Sequence, residues 1–257
     1  MTTLLSVENL SKRFGGLQAV NEVSFTVTAG SIKALIGPNG AGKTTLFNLI
    51  SGVTSPDSGV ISFNGDQVQG LRPHQVAVKG MARTFQHIRL FPKMSVLENI
   101  MIGRHIHSKA GFVAGMLSIP STWSEEKRIR DKAHEIMAFL DLESLADVEA
   151  TSLSYGQQRN VELGRALACE PKLLLLDEPA AGLNMSETAD LGALISRIRD
   201  TGITVLIVEH DMGLVMDISD EILVLSYGKK IADDRPLAIQ SNSEVINVYL
   251  GEDEDDA

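Results

Sequence analysis

The stretch "IKALIGPNGAGKTTLFNLI", Ile32 to Ile50, decides the fold of this chain. "IKALIG" is an apolar run of strand length that stops at glycines, and "TLFNLI" resumes with helical character. Between them "GPNGAGKTT" fits G-x-x-x-x-G-K-[ST], in the strand–loop–helix setting that this pattern requires. Its glycines let the backbone N–H groups turn inward on phosphate oxygens. Lys43 adds a charge at the β/γ oxygens, and the Thr44 hydroxyl is placed to ligate Mg²⁺. Gly37, Pro38, Asn39, Gly40, Ala41, Gly42, Lys43, Thr44 and Thr45 are therefore the nucleotide-binding candidates.

The second half of the chain supplies what such a loop needs beside it. "KLLLLDEP" (172–179) is a continuously apolar strand ending in Asp177. Open α/β sheets bind ligands at the carboxyl edges of their strands, so Asp177 suits a second Mg²⁺ contact. Glu178 would point to the other face if the strand continues, where it can orient or deprotonate an attacking water. "ITVLIVEHD" (203–211) is another buried strand, and His210 ends it as Asp177 ends its own. Leu191, Leu194, Ile195 and Ile198 mark a helix between the two strands, closed by Gly202. Strand, helix, strand argues a parallel sheet.

The flanks read differently. Val23, Phe25 and Val27 alternate with polar residues, and "GVISFNGD" (59–66) carries an Asn-Gly hairpin turn. From Gly80 the character changes. Ile129, Ala133, Ile136 and Leu140 recur at helical spacing, with Thr122 and Glu125 matching a capping box ahead of them. "FVAGMLSIPSTW" (112–123) reads as a loop or short helix. An α/β core interrupted by a mainly helical insertion, about residues 88–165, accounts for this order.

A second anion-binding element stands at "TSLSYGQQRNVELGRAL" (151–167). Small polar residues entering a helix leave N–H groups open to an anion. A chain with one phosphate cradle already in hand has to account for this one.

Composition narrows the function. The 257 residues are 44% hydrophobic and 22% charged, ordinary for a globular protein. A net charge of −10 argues against nucleic acid as the main partner. Glu252, Asp253, Glu254, Asp255 and Asp256 supply half of that charge and read as a solvated tail. Cys169 is the single cysteine, which fits a reducing compartment and a buried filler role. Neither a signal peptide nor a spanning apolar run is expected, so the chain reads as soluble and cytoplasmic.

The combined set resembles the ATP-binding cassette (ABC) ATPases over essentially the whole chain. "GPNGAGKT" (37–44), Gln86 in "TFQH", "LSYGQQ" (153–158), "LLLLDE" (173–178) and "VEHD" with His210 stand in that family's order. The resemblance implies an α/β P-loop core with an N-terminal antiparallel β subdomain and an inserted helical subdomain. It implies one such domain over residues 1–250, followed by the acidic, disordered tail at 251–257. ATP and Mg²⁺ are the implied ligands. Glu178, His210 and Gln86 match the family's catalytic positions, and Thr44, Gln86 and Asp177 its metal positions. Phe14 in "SKRFGG" matches the aromatic that stacks on adenine.

In that family two cassettes pack head to tail, and the signature loop of one covers the ATP of the other. Ser154, Gly156 and Gln157 would act in trans on the partner's γ-phosphate, which accounts for the second element. Two ATPs would then form part of the interface, and hydrolysis would reopen it. Tyr155 departs from the usual second glycine of the signature, and Asn184 in "AAGLN" from the usual aspartate.

Both departures resemble one subgroup, the ATPases of branched-chain amino acid importers, as do "RFGGLQAVNEVSF", "MARTFQHIRLFPKMSVLENI" and "VINVYLG". What the subgroup implies is an ATPase peripheral to the cytoplasmic face of the inner membrane. It would pair with a second ABC ATPase or a copy of itself and with two permease subunits. An extracytoplasmic solute-binding protein would feed them, and residues near 87–104 would dock on the permeases. Importers of urea or short amides carry similar ATPases. Soluble ABC proteins of ribosomes or DNA differ, with two cassettes in one chain, long coiled coils or cysteine hooks.

Overall fold

A computed structural model describes residues 2–107 and 120–250. The chain divides into two compact units, one formed by residues up to Val76 and from Lys172 onward, the other by Ala77–Pro171.

The first unit holds two sheets. Strands β1 (Thr3–Phe14), β2 (Leu17–Thr28), β4 (Ser58–Phe63) and β5 (Asp66–Gln67) form an antiparallel sheet in the order β2-β1-β4-β5. Val23, Phe25 and Val27 are buried on alternate positions of β2, as a half-covered sheet requires. Asn64 and Gly65, with φ of 51° and 86°, make the two-residue turn between β4 and β5.

The second sheet of this unit is built around β3 (Ile32–Ile36). It pairs in parallel with β8 (Thr204–Val208) and β9 (Glu221–Ser226), and β7 (Leu173–Asp177) pairs in parallel with β8. β10 (Lys229–Asp234) returns antiparallel to β9. Every residue of β3, β7 and β8 is buried, the signature of a sheet covered on both faces. Lys33 breaks the apolar run of β3. Its Nζ bonds to Asp233 (2.6 Å), Glu221 (3.1 Å) and the carbonyl of Thr26 (2.9 Å), so the buried charge is fully engaged. Helices α1 (Lys43–Ile50), α6 (Met185–Asp200) and α7 (Met212–Ile218) follow β3, β7 and β8 in the α/β alternation. α2 (Pro73–Val78) precedes the second unit, and α8 (Pro236–Gln240) and α9 (Ser243–Leu250) end the described chain.

The second unit contains β6 (Met81–Arg83) and the helices α3 (Val96–Arg104), α4 (Pro120–Phe139) and α5 (Tyr155–Leu167). α3 and α5 cross so closely that a Cβ on Gly103 would lie 2.0 Å from the carbonyl oxygen of Arg165. Ile129, Ala133, Ile136 and Leu140 are buried on one stripe along and just beyond α4. α4 starts at Pro120, a residue whose fixed φ suits a helix start. Thr122 therefore lies inside the helix, and the capping box expected at Thr122–Glu125 does not mark its start. Residues 112–119 of "FVAGMLSIPSTW" lie outside the described residues, as does the acidic run 251–257.

Candidate functional site

A cavity of about 390 Å³ opens in the first unit at the carboxyl ends of its parallel strands. Asn39, Gly40, Ala41, Gly42, Lys43, Thr44 and Thr45 form one wall of it, and Phe14, Leu17, Gln18, Ala19, Glu178, His210 and Tyr227 complete it. α1 starts here with Gly42 in the left-handed conformation, no side-chain cap and no acidic residue in its first turn. The positive end of its macrodipole is thus offered to an anion. A Cβ on Gly42 would lie 2.3 Å from the carbonyl oxygen of Ala19, so the loop takes this path only with glycine there. Lys43 is buried, and its Nζ donates to the carbonyls of Gly37 (2.6 Å) and Pro38 (2.8 Å), which fold the ammonium over the loop.

Asp177 ends β7 and is buried. The strand does not continue through Glu178. That residue adopts φ of 47°, its N–H donates to the carbonyl of Val208 (2.9 Å), and the chain turns. The turn rather than strand alternation aims its carboxylate. Oε1 of Glu178 lies 2.8 Å from Nε2 of His210. Glu209 stands between β8 and His210. Its buried carboxylate accepts from the N–H of Ala180 (2.6 Å) and of His210 (3.0 Å), tying the two loops together. Burial raises the Glu209 pKa, and backbone N–H donors, Ala180 first, oppose the shift.

The family model for ABC transporters matches residues 20–181, which span the phosphate loop and the Asp177–Glu178 pair. The chain belongs to the ABC transporter ATP-binding family. It binds nucleotide and is an ATPase. A second model, for branched-chain amino acid ATP-binding cassette transporters, matches residues 229–255. The chain is 45% identical over 250 residues to BraF, a high-affinity branched-chain amino acid transport ATP-binding protein of Pseudomonas aeruginosa, covering 97% of this chain and 98% of that one. It is 44% identical to the corresponding LivG of Escherichia coli, with the same coverage. A crystal structure of an ABC transporter's ATP-binding cassette in its ADP conformation superposes with a TM-score of 0.86 at 34% identity, covering 98% of this chain and 100% of that one.

The remaining candidates of this ABC ATPase lie on its second unit. Ser154 is the N-cap of α5: its Oγ accepts from the N–H of Gln157 (3.4 Å), and Gln157 Oε1 accepts from the N–H (3.2 Å) and Oγ (3.1 Å) of Ser154. This capping box satisfies N–H groups that the sequence left open, so α5 does not begin bare as α1 does. Gly156 is in the first turn.

Gln86 is held through its backbone. The buried Arg159 donates to the carbonyls of Phe85 (3.0 Å) and Gln86 (3.2 Å), to the Tyr155 hydroxyl (3.3 Å) and to Glu162 (3.1 Å). Glu162 in turn accepts from the N–H of Arg89 (3.4 Å), and burial raises its pKa against the charges of Arg159 and Arg165. Tyr155 thus has a structural use that the usual glycine cannot supply. Asn184 caps α6 in a box with Glu187 (3.0 and 2.9 Å), a task its amide performs as a carboxylate would.

Sequence reasoning missed Arg159 and Glu162, which read as ordinary helix polar residues, and also Glu209, Leu17 and Tyr227. The available signals were slight: an acid directly before His210, and an aromatic before the glycine of a hairpin turn.

Proposed function

We propose that this chain is the ATP-hydrolysing subunit of an importer of branched-chain amino acids. The observation that supports this most is the near full-length identity to BraF and LivG, joined by the subgroup match at residues 229–255. In this reading Phe14 stacks on the base, residues 37–45 hold the phosphates, and Glu178 takes the proton of the attacking water. His210 fixes the Glu178 carboxylate through the 2.8 Å contact. A carboxylate carries no hydrogen to share, so Nε2 of His210 holds the proton between them. Gln86 is assigned to the metal ion and the terminal phosphate by its place in the motif order.

The Thr44 hydroxyl and the Asp177 carboxylate are hard oxygen donors, and the described residues contain no His/Cys/Asp/Glu cluster of the kind that holds a metal alone. That set fits Mg²⁺ shared with phosphate oxygens, and bound there the ion neutralises the charge that develops on them. Ser154, Gly156 and Gln157 complete the site of a partner cassette. The helical insertion about residues 88–165 meets two permease subunits at the cytoplasmic face of the membrane. No helix among the described residues is long and apolar enough to cross one.

The test is a pull-down of tagged Glu178→Gln from detergent-solubilised native membranes with Mg-ATP, identifying every chain that co-purifies. Two membrane proteins and an ATPase are expected. Ribosomal or DNA-associated partners, or none from the membrane, would sink the transport role and leave the ATPase standing.

A further inference from the structure

The rim of the nucleotide cavity carries apolar surface that phosphate binding does not require. Phe14 is 49% exposed, Leu17 68% and Tyr227 89%, and all three line the same opening. Large apolar side chains gathered in water at one mouth mark a surface that a ligand covers.

The backbone works against Tyr227. Ser226 pairs with Lys229, so Tyr227 and Gly228 alone make the turn between β9 and β10. Both have positive φ, 45° and 76°, the conformation of a two-residue hairpin turn that favours Asn-Gly. The chain uses that dipeptide at Asn64-Gly65, where a Cβ on the glycine would meet nothing within 4 Å. Gly228 has no alternative, because a Cβ there would lie 2.8 Å from the carbonyl oxygen of Ala19. Tyr227 does have one, since asparagine would make the same turn with less strain. Its ring buries almost nothing in return, and it is the only aromatic among the described non-glycine residues with positive φ. Strain of this kind persists at ligand clamps.

The turn is also fixed to the phosphate loop. The N–H of Gly228 donates to the carbonyl of Ala41 (2.9 Å), and the Gly228 carbonyl accepts from the N–H of Asn21 (2.8 Å). Tyr227 therefore stands at a set position beside the cradle.

We propose that Tyr227 is a second aromatic contact for the nucleoside, gripping the base from the β9–β10 turn while Phe14 meets it from the end of β1. This rests on the nucleotide reading of the cavity and is independent of the cargo.

The test is calorimetric titration of the full chain, as wild type, Tyr227→Asn and Tyr227→Phe, with ADP and with pyrophosphate, together with the melting temperature without ligand. Tyr227→Asn should raise the melting temperature by roughly 1–3 °C by relieving the turn. It should weaken ADP by about fivefold or more, the scale of one lost base–aromatic contact, and leave pyrophosphate unchanged. Tyr227→Phe should keep ADP affinity within about twofold of wild type, since the ring is retained. Wild-type ADP affinity in Tyr227→Asn would overturn the proposal and leave the ring as a surface for a protein partner. An equal loss for pyrophosphate would overturn it too, because the phosphate loop would then have been disturbed. A wild-type chain that bound no ADP would remove the nucleotide reading itself.

Discussion

Nε2 of His210 lies 2.8 Å from Oε1 of Glu178, and the two residues reach each other from the ends of neighbouring parallel strands, β8 and β7. The contact sets the carboxylate's direction at the cavity wall. Glu178→Gln should retain ADP and ATP affinity while lowering phosphate release by about 100-fold or more, the scale of a lost general base. His210→Ala should lower it by about tenfold or more without changing ADP affinity. Phosphate release and nucleotide titration on the same samples check both, and wild-type turnover in Glu178→Gln would remove Glu178 as the base.

Glu209 supports that pair by accepting from the N–H groups of Ala180 and His210. Its pKa in the fold is raised above the ordinary glutamate value of 4.5, chiefly by burial. The folded protein therefore holds the Glu209 proton more tightly than the unfolded chain does. The stability this contributes is fully present below pH 4.5 and is lost as pH rises through the folded pKa. Glu209→Gln cannot titrate. Denaturation curves at a series of pH values should show wild type losing ground against this variant as pH rises from 4.5, and a constant gap would contradict the assignment.

Arg159 and Glu162 are both almost fully buried, with side chains 3% and 1% exposed. Removing Arg159 alone leaves the buried Glu162 carboxylate with only the Arg89 N–H (3.4 Å) and the more distant Arg165 (3.8 Å). Arg159→Met should cost about 3–5 kcal/mol of unfolding free energy, and the double variant Arg159→Met with Glu162→Leu should recover most of it. Chemical denaturation of the three variants decides this. Because Arg159 also holds the carbonyls of Phe85 and Gln86, limited proteolysis near residue 86 should increase in both.

Gly42→Ala would drive a Cβ to 2.3 Å from the carbonyl of Ala19 at φ of 100°. A melting temperature lower by about 4–8 °C is expected, with loss of ADP binding. Gly16→Ala, where the added Cβ would meet nothing within 4 Å and φ is not positive, serves as the control and should change neither.

The sequence alone determined the elements and the chemistry they carry. Short apolar runs ending at Gly37, Asp177 and the Glu209–His210 pair, interrupted only by Lys33 in the first and separated by a helical pattern between the last two, argue buried parallel strands, since alternation is absent where both faces are covered. The Asn64-Gly65 turn was equally local, because two positive φ values are a property of two residues.

What tertiary structure decided is where side chains go once the strands end. Glu178 is aimed by a turn whose N–H bonds to Val208, a neighbour 30 residues on. Arg159 is an ordinary helix residue until the carbonyls of Phe85 and Gln86 meet it. Tyr227 stands beside Phe14 at one rim only because the β9–β10 turn bonds back to Ala41. Burial and hydrogen-bond partners of that kind come from residues distant in the chain, and no local pattern encodes them.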